Sequence, residues 1–135
     1  MTDSSAVTAG VNATAAQYNN LRADTLLAKN ILGVETDQAT ITIDWSDITK
    51  GKIRSFTLGG NRTIAFSNVA VGQAILVRVI QDGTGSRTVA WPAGIKWPSG
   101  NAPTLSTTAG AIDSFLIVCA SSGVYDGYFA GFGLA

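Results

Sequence analysis

Nine carboxylates, one cysteine and three tryptophans are the residues whose types could do chemistry in this chain of 135 residues. Hydrolysis of a glycosidic bond needs two facing carboxylates. Asp3, Asp24, Glu35, Asp37, Asp44, Asp47, Asp82, Asp113 and Asp126 fall mostly at turns or polar strand positions. Asp44 and Asp47 are close in sequence but read as turn residues at a strand end. There is no histidine, so neither a Ser-His-Asp nor a Cys-His arrangement can form, and the commonest metal ligand is missing. Cys119 follows the apolar run Phe115–Val118 and reads as a core residue. As the only cysteine it can build neither an intrachain disulfide nor a thiolate zinc site. Gly83-Thr84-Gly85 has the start of a dinucleotide loop, but Thr88 stands where the third glycine belongs and a strand follows. It reads as a turn. Asn12-Ala13-Thr14 and Asn61-Arg62-Thr63 fit the glycosylation sequon but lack a secretory signal to give it meaning. The expectation is a protein with no catalytic, metal or cofactor residues, and no enzyme activity.

The aromatic residues carry the one binding chemistry to weigh. Trp91-Pro92 and Trp97-Pro98 bracket the loop Ala93–Lys96. Exposed indoles stack on sugars, so Trp91 and Trp97, with Tyr125 and Tyr128, form a candidate glycan platform. The competing reading makes the indoles plugs at the ends of a β core. The proline after each tryptophan stiffens the loop as a structural corner requires, and favours the core reading.

These side chains need elements to hold them. Residues 1–12 are small and polar and read as an extended arm. Residues 13–33 read as one helix, with Thr14 and Gln17 as a capping box and Gly33 as the stop. Tyr18, Leu21, Thr25, Ala28 and Leu32 alternate at spacings of three and four, the pattern of a short seam between subunits or an anchor. Leu26, Leu27 and Ile31 give the helix a second apolar face, which equally suits packing on its own β-domain. From residue 38 to 135 the period is two. Strands are predicted at 39–46, 53–58, 62–66, 73–81, 88–91, 112–120 and 124–132, with Gly59-Gly60-Asn61 closing a hairpin. The strand 73–81 is apolar on both faces, as a central or subunit-covered strand is. Arg78 is its one charge, expected either to face solvent or to pair with Asp113 or Asp126. The predicted fold is mainly β: an antiparallel β-sandwich or jelly roll preceded by an arm and one short α-helix.

Composition narrows the partners. Only 13% of residues are charged and 46% are hydrophobic, with nine cations balancing nine anions. Without excess positive charge, neither nucleic acid nor an anionic membrane surface is an expected partner. The longest apolar run, Phe115 to Ala120, is too short to span a bilayer, and the start lacks the pattern of a signal peptide. A neutral, apolar chain is expected to bury surface between subunits.

Two segments carry a resemblance. Thr8-Ala9-Gly10-Val11-Asn12-Ala13-Thr14, continuing through Tyr18-Asn19-Asn20-Leu21-Arg22-Ala23-Asp24, resembles the opening of many bacteriophage fibre and surface proteins. Gln81-Asp82-Gly83-Thr84-Gly85-Ser86-Arg87-Thr88-Val89, with Trp91-Pro92 and Lys96-Trp97-Pro98, resembles a signature of tail-fibre and head-fibre β-domains. The resemblance implies a homotrimeric component of the virion surface, in contact with other virion proteins of capsid or tail. Because the sequence ends after one β-domain, the expected form is a capsid decoration or short head-fibre protein that stabilises the particle. The alternative is a tail-fibre or receptor-binding module that recognises a host glycan.

Overall fold

The computed structural model describes residues 31–135. The expected arm, and Tyr18, Leu21, Thr25 and Ala28 of the expected helix, lie outside the described residues. Leu32 and Gly33 do not belong to a helix. They open β1 (Leu32–Val34), and Gly33 is no helix stop. A side chain at Gly33 would collide with the backbone and Cβ of Lys50, so the glycine permits a close strand–turn contact.

Strands then follow one another in a regular alternation between two sheets. β1, β3 (Ile53–Leu58) and β5 (Ala74–Gln81) lie side by side in the larger sheet. β2 (Thr40–Asp44), β4 (Arg62–Ser67) and β6 (Val89–Ala90) form the smaller one. All four pairings among these six strands are parallel. Leu32 stands beside Ile53 and Ile53 beside Leu76, while Ile41 stands beside Ile64. The chain therefore winds as three coils of a parallel β-solenoid.

The larger sheet is completed by β8 (Ile112–Ser121), antiparallel to β5, by β9 (Val124–Leu134), antiparallel to β8, and by the short edge strand β7 (Ile95–Lys96), parallel to β9. Its order is β1-β3-β5-β8-β9-β7. β7 and a single 3-10 turn at Pro98–Gly100 occupy what the sequence presents as a loop.

The expectation of an antiparallel fold is corrected here, since antiparallel pairing is confined to β5, β8 and β9. The hairpin at Gly59-Gly60-Asn61 is corrected too. β3 and β4 belong to different sheets, and the turn is a corner between them. Both strands alternate, placing Phe56 and Leu58 of β3 and Ile64 of β4 on inward faces. Turning through a corner buries those faces against each other, which side-by-side pairing would not do.

The core lies between the sheets. Ile41, Ile43 and Ile64 come from the smaller sheet. Phe56, Leu58, Ile75, Val77, Val79, Phe115 and Ile117 come from the larger, and each is at most 2% exposed. Cys119 joins them as the sequence indicated.

Candidate functional site

The inward positions of the coils also carry charge. Arg54 alternates with Phe56 and Leu58 and is fully buried. Its Nη1 donates to Glu35 Oε2 at 2.9 Å, its Nε to the Gly51 carbonyl at 2.8 Å, and its Nη2 to the Asp44 carbonyl at 2.7 Å. Glu35 Oε1 accepts from Lys50 Nζ at 2.7 Å. A buried cation with this many acceptors is a corner staple, joining the first coil to the turn that leads into the second. Sequence reasoning looked for the buried charge at Arg78. The alternation of β3 was the signal that marked Arg54.

The other corners are held nearer the surface. Arg62 makes a forked pair with Asp37 at 2.7 and 2.8 Å, and the guanidinium holds the Asp37 carboxyl below its ordinary range. Asp82 pairs with Arg87 at 2.9 Å and also accepts from the Gly85 and Thr84 amides. The Arg87 guanidinium, with those amides, holds its carboxyl at about 2. Asp44 and Asp47 fold back onto Ser46 and Thr49, whose hydroxyls and amides depress both carboxyls. Gly83-Thr84-Gly85 is thus a corner turn. Asp113, inward on β8, accepts from Ser106 Oγ at 2.7 Å, from the Ser106 amide and from the Gly133 amide at 2.8 Å. Every one of these carboxylates has a structural partner, and no cluster suited to hold a metal occurs among the described residues.

The four aromatic residues expected at a glycan platform are not on one surface. Trp97 and Tyr125 are buried at 9% exposure. Trp91 is half-buried, with its indole Nε1 turned inward. Trp91, Trp97 and Phe115 pack edge to face with ring centres 5.1–5.9 Å apart, and Phe129 and Phe132 extend the cluster. Tyr125 meets Trp45 and Phe66 at 5.8 and 5.2 Å, and burial pushes its phenol pKa up. A side chain at Gly127 would run into the Trp97 ring, so the indole lies flat on bare backbone. The indoles therefore plug the core. Of the four, Tyr128 alone, 48% exposed, offers its ring to solvent.

Two surface features remain. One is a shallow groove of about 240 Å³ between the third coil and the following loop, lined by Ser86, Arg87, Thr88, Thr104, Thr107 and the apolar Leu105. The other is the outer face of the larger sheet. Register aligns Leu32, Ile53, Leu76, Leu116 and Tyr128 in one unbroken row across five strands. The parallel row Val34–Ser55–Arg78–Ser114–Gly131 places Arg78 near the middle of this face. Arg78 is half-buried and joins no ion pair among the described residues. Asp113 points to the opposite face, so of the alternatives expected for Arg78 its pairing with Asp113 does not occur.

Residues 29–119 match a family model described as "Putative phage tail fibre C-terminal domain". The match spans the three coils and most of β8. Searches of curated proteins and of solved structures found no match.

Proposed function

The chain belongs to the phage tail fibre C-terminal domain family, and from that premise we propose that this virion-surface protein is a non-enzymatic part of a tail fibre, working as a homotrimer alongside other virion proteins. The family match over residues 29–119 carries the reading. It supports the tail-fibre alternative over a capsid decoration or head-fibre role. The packing agrees with a mechanical role, because the coil corners are held by ion pairs, Glu35–Arg54 buried and Asp37–Arg62 nearer the surface, and the carboxylates serve their own corners. Immunogold labelling of intact particles with antibody to residues 31–135 tests the location. Label on the tail is the expected result, and label spread over capsid faces overturns it. Light scattering tests the trimer, which a stable monomer at micromolar concentration would exclude.

A second reading, recognition of a host-surface glycan, is favoured by the groove beside Arg87, whose lining mixes Ser86, Thr88, Thr104 and Thr107 with the apolar Val89, Pro103 and Leu105. A lining of hydroxyls and apolar groups suits a sugar ring, which is polar at its edge and apolar on its face. Binding to an array of bacterial surface glycans that is lost in Thr104→Lys, at a lining position of the groove, would support this reading. Equal binding by the variant would remove it.

A further inference from the structure

From Gly127 to Leu134 the chain carries no charge, and Tyr128, Phe129, Phe132 and Leu134 are large and apolar. Each is 43–49% exposed. Alternation along β9 sends these side chains to both faces of the strand. Tyr128 stands beside Leu116 on the outer face. Phe129 stands beside Phe115 on the inner face, and Phe132 packs on Phe115 from the same side with ring centres 5.7 Å apart. Phe129 touches Trp97, Phe115 and Phe132, yet it keeps 43% of its surface in solvent. The smaller sheet has three strands against six in the larger, so nothing from it pairs off this end of the aromatic cluster. The strand's free edge is open as well. β7 accompanies β9 only at Tyr125 and Asp126, and beyond them that edge has no partner strand among the described residues.

We infer that this end of β9 is where three copies of the chain meet about a three-fold axis. The occupant on either side is another copy. The inference rests on the homotrimer reading above and gives it a place on the molecule.

Exposure on both faces selects the symmetry. A two-fold contact covers one face of a strand and leaves the other in water. About a three-fold axis each strand end has two neighbours, one against Tyr128 and the other against Phe129 and Phe132. The edge itself is unsuited to extending the sheet into the next copy. Ser114 stands beside Gly131 while Phe115 stands beside Phe129, so β9 bulges by one residue at Ala130. A bulged edge is bent out of line for strand pairing, and the contact falls to side chains. Size agrees. An aromatic side chain buries roughly 150–250 Å² in full, so at these exposures the four side chains leave on the order of 350 Å² per copy. Three copies then bring roughly 1,000 Å² to the axis, where specific interfaces begin. Chemistry sets a sugar aside, because among these four side chains the Tyr128 hydroxyl is the one hydrogen-bonding group.

The test uses the full chain. Tyr128→Glu with Leu134→Glu changes two exposed positions and is expected to give a folded monomer by light scattering at micromolar concentration, with parental circular dichroism. Val34→Glu, 66% exposed at the other edge of the sheet, is expected to leave the trimer intact. Cysteines read the symmetry. Tyr128→Cys with Phe132→Cys puts thiols on opposite faces of one strand end, so oxidation should join position 128 of each copy to position 132 of the next. Covalent trimers on a denaturing gel are the expected product, and either single variant should give none. Should the glutamate variant unfold, the cysteine variants decide. A folded glutamate variant as trimeric as the parent overturns the site and leaves the trimer standing. Cross-linking that stops at dimers, or that fails in a folded, trimeric double variant, overturns the three-fold arrangement. A monomeric parent overturns the trimer itself, and this inference with it.

Discussion

The coils and the C-terminal hairpin solve the same packing problem with different chemistry. In β1–β6 the parallel strands are joined by corners, and each corner exposes backbone and turn groups that need partners. Those corners are fixed by polar contacts: Glu35 with Arg54 and Lys50, Asp37 with Arg62, and Asp82 with Arg87. In β7–β9 adjacent strands are tied by a hairpin and a short edge strand, and the space beneath is filled by Trp97, Phe115, Phe129 and Phe132. A solenoid coil cannot close without satisfying its corners, so polar groups fix the corners around the apolar core that β2–β5 share with the hairpin. The hairpin spreads its stability over ring contacts.

The largest effects should be equal in size but different in rescue. Arg54→Ala leaves Glu35 without its buried partner and is expected to destabilise by about 3–5 kcal/mol. Phe115→Ala empties the centre of the aromatic cluster and should lose about 3–5 kcal/mol as well. Replacing Arg54 and Glu35 together with Met and Leu should recover most of the first loss, because no unpaired buried charge remains. A double variant no more stable than Arg54→Ala in urea melts would show that geometry, not charge, holds that corner. No change of charge should rescue Phe115→Ala.

Asp113 lies where the two regions touch, because it stands beside Val79 of β5 and receives the Ser106 hydroxyl and amide from the segment before β8 and the Gly133 amide from β9. Asp113→Ala strands those part-buried donors, for an expected loss of about 1 kcal/mol. Hydrogen exchange should rise at Ser106 and Gly133 and stay unchanged at Glu35. Exchange that rose equally across all three coils would mean the two regions unfold as one unit.

Seven of the nine strands among the described residues were legible in the sequence to within one or two residues, because alternation of apolar and polar residues is a local property; β1, read as the end of a helix, and β7, read as loop, are too short to show it. The partners of the strands were not legible. The alternation of Phe56 and Leu58 followed by Ile64 suits a hairpin and a solenoid corner equally, and only the three-dimensional layering separates them. One partial signal was present: Arg62-Thr63-Ile64-Ala65-Phe66 returns as Arg87-Thr88-Val89-Ala90-Trp91, although the strands pair two residues out of that alignment, Arg62 beside Val89. The indoles could be read as core plugs because proline after each one stiffens the loop. Arg54 escaped notice because its neighbours are mixed, while Arg78 drew attention in an apolar strand. Side-chain parity decides otherwise, since odd positions of β5 face the core and Arg78 does not.

Acid should separate the regions more gently than mutation. Asp37, Asp44, Asp47 and Asp82 all belong to coil corners, and their carboxyls are held below the usual range. A depressed carboxylate contributes stability that is complete above its unfolded value, about 3.9, and is lost as pH falls through the folded value. For Asp82 that window runs from about 3.9 down to about 2. With no histidine, melting temperature should be flat from roughly pH 5 to 8 and fall below roughly pH 4. Exchange in the corner amides of Thr84 and Gly85 should rise on that limb before exchange in β8. Loss of β8 protection first would reverse the comparison.

The smallest effect is expected at Asp37. Its forked pair with Arg62 has one more hydrogen bond than the single Glu35–Arg54 contact, yet its side chain is 34% exposed where that of Glu35 is 5% exposed. Water screens the outer pair, and holding Arg62 in place costs side-chain entropy, so little net stability should remain. Asp37→Asn should therefore lower the melting temperature only slightly in dilute buffer. Near 1 M salt, where the screening length falls to about 3 Å, the difference should vanish. The loss in Arg54→Ala should persist in salt, because ions do not reach a buried pair. A large, salt-independent loss in Asp37→Asn would make the outer corner as structural as the inner one, and the corners would differ in burial without differing in what they do.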